Sequence, residues 1–233
     1  MQDRSDKLKV DLHDGVKRGL PRIVLGMGTG RCGTYTLYNI LAKQKGTVCT
    51  HEGFSHPWEP DYLIFYEAIL NFLVNFKAEV IANVGWYWIN YVGRIMNSLE
   101  DPKCICLKRP KDEVVDSFQR YLPLENKWTD PESIHWKPRK YAITPDRHMW
   151  PKYDAPRAEA LAMYWNEYYS KAKFWQQRLP ANFMVMDMDE ALNTEDGQHD
   201  MLSFLGYPEN EHKIFLNQKL NTKANVGGAI RDD

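Results

Sequence analysis

The stretch from Pro21 to Tyr35 reads PRIVLGMGTGRCGTY, and it restricts the fold more than any other part of the chain. Residues 21–27 form a short apolar run with the look of a strand buried on both faces. Gly28, Gly30 and Gly33 then mark a tight turn. Leu37, Ile40 and Leu41 follow at helical spacing, which predicts a helix over 34–43. A second short strand is expected at 47–50. Strand, glycine loop, helix, strand is the opening of an α/β domain. Such a loop aims backbone N–H groups at an anion, the helix dipole adds to the attraction, and glycines let a phosphate come close.

The rest of the chain extends this pattern. Further strands are expected at 80–84, 103–107 and 183–186, and helices at 62–76, 88–99, 110–122, 157–179 and 199–205. Together they predict an α/β three-layer sandwich with a mainly parallel central sheet. The chain has 233 residues, and no linker or composition shift divides it, so one domain over 1–233 is expected. Residues 1–20 are a polar N-terminal segment. Residues 125–156 hold five of the 13 prolines and three of the 8 tryptophans without periodicity, and read as a lid or acceptor loop.

Charge and cysteine usage exclude several classes. Lys plus Arg is 30 and Asp plus Glu is 31, so the chain lacks the basic excess of a nucleic-acid binder. Interleaved charges over 1–20 leave no signal-peptide core, and 62–76 is too short and too polar to span a bilayer. The cysteines, Cys32, Cys49, Cys104 and Cys106, read as reduced thiols of a cytoplasmic protein. Alternation puts Cys104 and Cys106 on one strand face, a core pattern; no second Cys/His pair follows at zinc spacing, and no metal is expected.

Three ligand classes fit the loop. Gly28-Thr29-Gly30-Arg31-Cys32-Gly33 matches GxGxxG, and Glu52 follows the second strand where a ribose-binding acid would sit, which suggests an NAD(P)-dependent oxidoreductase. A bulky arginine between the glycines opposes that reading. Gly28 to Thr34 also approximates the loop of P-loop kinases, but the lysine before the hydroxyl residue is missing.

The third class draws on more of the chain. Arg31-Cys32-Gly33-Thr34 resembles the phosphosulfate loop [KR]-S-G-T-T of sulfotransferases. The strand Lys103 to Leu107 leading to Arg109, with Ser117 eight residues later, resembles that family's second signature. Met201 to Gly206 is similar to its late helix ending in Phe-Leu-Gly. The resemblance covers about residues 21–207. Cys32 stands where serine is common, Tyr35 where a second threonine is common, and Asp187-Met188-Asp189 where Tyr-Glu-Asp is usual.

The resemblance implies a P-loop-like phosphosulfate-binding loop and a donor, 3′-phosphoadenosine-5′-phosphosulfate (PAPS), with adenosine 3′,5′-bisphosphate (PAP) as product. Gly30, Arg31, Cys32, Gly33, Thr34 and Tyr35 would bind the 5′-phosphosulfate, and Arg109 and Ser117 the 3′-phosphate. Arg31 would also act in catalysis, following charge onto the bridging oxygen. The general base would lie just after the second strand: Glu52 first, His51 second, His56 third. The acceptor would be a hydroxyl, or an amine, of a small molecule, glycan or lipid. Trp86, Tyr87 and Trp88, with Trp136, Tyr141 and Trp150, would line its pocket. A non-catalytic nucleotide-binding protein of the same fold is the remaining alternative.

Overall fold

A computed structural model describes residues 21–52, 78–121, 153 and 155–216. The expected helix at 62–76, the polar segment 1–20, and nearly all of 125–156 lie outside the described residues, as do His56, Trp136, Tyr141 and Trp150.

Five strands form one sheet: β1 (Arg22–Met27), β2 (Thr47–His51), β3 (Val80–Val84), β4 (Lys103–Lys108) and β5 (Phe183–Asp187). Their order is β2-β3-β1-β4-β5, and every pairing is parallel. The helices are α1 (Thr34–Ala42), α2 (Val92–Ser98), α3 (Lys111–Tyr121), α4 (Arg157–Arg178), α5 (Met188–Asn193) and α6 (Glu195–Phe204), with short 3-10 turns at Trp86–Asn90 and Glu209–Glu211.

Strand alternation sorts the core into two layers. Ile23, Leu25, Met27, Cys104 and Cys106 face the layer built by α2, α3 and α4. Val24, Ile105 and Leu107 face the layer built by α1, α5 and α6. This is the expected three-layer α/β sandwich, with Cys104 and Cys106 side by side on one face. Residues of β1, β3 and β4 are almost all buried, as a two-sided parallel sheet requires. The edge strand β2, TVCTH, is only half-buried. Among the described residues no helix is long and apolar enough to cross a membrane.

Two expectations change in detail. The helix expected at 88–99 begins instead as a 3-10 turn at Trp86 and becomes α-helical only at Val92. The tighter winding brings the neighbours Tyr87 and Trp88 onto one acceptor, Asn83 Oδ1, at 3.1 and 2.6 Å. The helix α5 was not expected. Asp187 starts it, its carboxylate accepting from the N–H groups of Asp189 and Glu190.

Beyond the last 3-10 turn the chain runs over α1 and α6 as an extended strap. Two buried glutamines tie it down. Gln44 bonds both the N–H and the carbonyl of Lys213, and Gln198 does the same for Phe215.

Candidate functional site

The chain turns from β1 into α1 through residues 28–33, at the centre of the sheet. The first connection leads to β2 on one side, and the later chain passes from β3 across β1 to β4 on the other. The carboxyl end of β1 is therefore a topological switch point, where open α/β sheets bind their ligands.

The loop backbone is left-handed at Gly30 (φ 79°), Arg31 (φ 56°) and Gly33 (φ 81°). Gly33 is the N-cap of α1 and carries no side-chain cap. A Cβ there would stand 2.5 Å from Leu192 Cδ1, so only glycine fits both the dihedral and the packing. Arg31 has no such freedom, and a left-handed arginine costs about 1 kcal/mol. Two contacts with described residues help hold it there. Its Nε donates to Ser117 Oγ at 3.1 Å, and its carbonyl accepts from Arg109 Nη1 at 2.9 Å. The spacing of Arg109 and Ser117 thus has a structural meaning: the end of β4 and the second turn of α3 converge on the loop arginine. Arg109 Nε is paired with Glu113 Oε2 at 2.9 Å.

The thiol of Cys32 points inward. It is fully buried, and burial pushes its pKa up to about 11, against the pull of the Gly30 N–H, the Thr29 hydroxyl and the Arg109 charge. Cys32 therefore offers a loop ligand its backbone, not its sulfur. Thr34 occupies the first position of α1, and Tyr35 beside it is exposed.

On the β2 side, His51 ends the strand, and its Nε2 lies 3.3 Å from Thr34 Oγ1. Burial draws the imidazole pKa below its ordinary 6.5. Glu52 follows with a left-handed backbone, φ 46°, and its N–H bonds the Val84 carbonyl at 2.9 Å. Two left-handed non-glycine residues, Arg31 and Glu52, thus stand at the same end of the sheet. Strain of this kind persists where surrounding structure enforces it, commonly at functional sites.

The sequence foretold helix α4 but not what its polar aromatic side chains do. Helix α4 lays polar aromatic tips on the carbonyls at this end of the sheet. Tyr164 donates to the Thr29 carbonyl (3.0 Å), Tyr168 to Trp86 (2.8 Å), Tyr169 to Leu107 (2.8 Å) and Trp165 Nε1 to Arg109 (2.9 Å). Carbonyls that an irregular turn would leave bare are thereby satisfied. Trp86, Tyr87 and Trp88, expected at the acceptor pocket, belong to the core layer of α2, α3 and α4. All three are buried in the core, and Asn83 serves the polar atoms of Tyr87 and Trp88 while donating to Thr50 Oγ1 at 2.6 Å. The one polar residue in the strand VIANV was the signal for this hub.

Among the described residues no group of three or more His, Cys, Asp or Glu side chains is placed to hold a metal ion. No protein-family model matches the chain, and no curated protein matches it. The family resemblance rests on residues 31–34 and 103–117 themselves.

Proposed function

We propose that this chain is a PAPS-dependent sulfotransferase. The observation that carries the reading is the convergence of Arg31, Arg109 and Ser117 on the glycine loop at the switch point. Two motifs 78 residues apart, each weak alone, meet at one strand end.

In this reading the 5′-phosphosulfate lies against the backbone of residues 30–35, with the Thr34 hydroxyl as a further donor. Arg109 takes the 3′-phosphate together with Ser117. An arginine has five N–H donors, and the described contacts of Arg109 engage its Nε and one at Nη1. A neutral imidazole at His51, favoured by burial, serves as the base near Thr34. The acceptor oxygen forms a bond to sulfur as the bond from sulfur to the 5′-phosphate oxygen breaks. That electron pair stays on the phosphate, giving PAP. The acceptor proton passes to His51. Arg31 stabilises the charge arriving on the leaving oxygen. Glu52 is the second reading for the base, favoured by its enforced left-handed backbone at the same strand end.

The test is transfer of label from 35S-PAPS to a cell metabolite extract. Wild-type protein is expected to label at least one acceptor, and Arg31→Ala to lower the rate about a hundredfold, the usual effect of removing one charge-stabilising donor. Absence of labelling, or equal labelling by the variant, contradicts the reading.

A further inference from the structure

The two sides of the glycine loop differ in chemistry. On the β4 side stand Arg109 and Ser117, with Lys108 and Lys111 beyond them at 5.5 and 5.9 Å from the Trp165 ring. On the β2 side stand three rings. Tyr35 meets His51 edge-on at 5.4 Å, Tyr35 and Tyr38 lie 5.6 Å apart, and Tyr38 and His51 6.0 Å apart. Their triangle includes one of the few large apolar side chains exposed among the described residues: Tyr35 is 37% exposed. Among the described residues no Lys or Arg stacks on or bonds to any of the three rings.

We propose that Tyr35, Tyr38 and His51 form the acceptor platform, and that the acceptor is an alcohol carried on a ring. The inference rests on the sulfotransferase reading and deepens it. A charged donor belongs on the cationic side of the loop, which leaves the aromatic side to the acceptor. A ring face or the C–H face of a sugar stacks on an exposed tyrosine, whereas a plain chain gains little from it. A hydroxyl on a ring stacked against Tyr35 is directed to His51, whose Nε2 already reaches the loop through Thr34. There it gives up its proton as its oxygen bonds to sulfur. Tyr35, standing where the family has a threonine, is the specificity-determining residue of this arrangement.

The experiment has two stages. Calorimetry first measures PAP binding to the wild type, Tyr35→Ala and Tyr35→Phe. Transfer from 35S-PAPS is then measured to phenol, methyl β-D-glucoside and 1-propanol. Transfer to the phenol or the glucoside, and not to propanol, is expected, and which of the two is used identifies the ring. Tyr35→Ala should raise the acceptor KM about tenfold with PAP affinity within about twofold, and Tyr35→Phe should behave as wild type. Transfer to neither ring probe by a protein that binds PAP overturns the inference. So does preference for propanol, or a Tyr35→Ala variant that loses PAP affinity with unchanged acceptor KM. Failure of the wild type to bind PAP removes the sulfotransferase reading itself, a distinguishable result.

Discussion

Arg31 carries two opposed demands. Its backbone is strained, yet its side chain and carbonyl are both tied. Arg31→Gly relieves the strain and loses the bond to Ser117, effects of about 1 kcal/mol each in opposite directions. Its melting temperature should stay within a few degrees of wild type while PAP binding weakens at least about tenfold; scanning calorimetry and titration check both. Ser117→Ala keeps the arginine but removes its bond to the Ser117 hydroxyl, and should weaken PAP about tenfold, the scale of one hydrogen bond to a charged group. His51 makes a pH prediction. Its folded pKa lies below its unfolded 6.5, so between the two values the unfolded chain binds more protons. Its contribution to stability is complete above 6.5 and declines as pH falls through that window. The neutral base persists over the same range, so the acidic limb of kcat/KM should have its midpoint below 6.5 and vanish with activity in His51→Gln. Cys32 should resist alkylation in the native state, because its thiolate is scarce and buried.

At the scale of elements, α4 does the most for the site, because its side chains hold the carbonyls of Thr29, Leu107 and Arg109 in both motifs. Its helical period was legible in the sequence, from Leu161 through Trp165 and Tyr168 to Trp175. What was not legible is that its tyrosines end on carbonyls, because periodicity gives a face and not the partner of a hydroxyl. Tyr164→Phe leaves the buried Thr29 carbonyl without its donor and should cost about 1–3 kcal/mol. In a chain of this size that is a fall of several degrees in melting temperature, readable by calorimetry. The helix α5 was missed for a different reason: six residues are too short for a period to emerge. Its mark was the capping pattern Asp187-x-x-Glu190 instead. The cluster at 86–88 did not reveal in the sequence whether it meets solvent or core; the structure buries it, with Asn83 accepting from Tyr87 and Trp88.

For the whole molecule, the sequence foretold the class of fold because a parallel sheet writes itself as short apolar runs separated by helices. Strand order was beyond it, since order depends on crossovers that leave no periodic trace. With β1 central and β4 beside it, two motifs far apart in the chain become neighbours, and the formal charge of −1 conceals a cationic side and an aromatic side of one loop. The central claim is that this loop binds a 3′-phosphorylated adenine nucleotide. Isothermal titration of the full chain with PAP, ATP and NADH tests it most directly. PAP should bind at least about tenfold more tightly than either competitor, with the difference removed by Arg109→Ala, since the 3′-phosphate is what sets it apart. Tighter binding of ATP or NADH, or a PAP affinity indifferent to Arg109, would contradict the account.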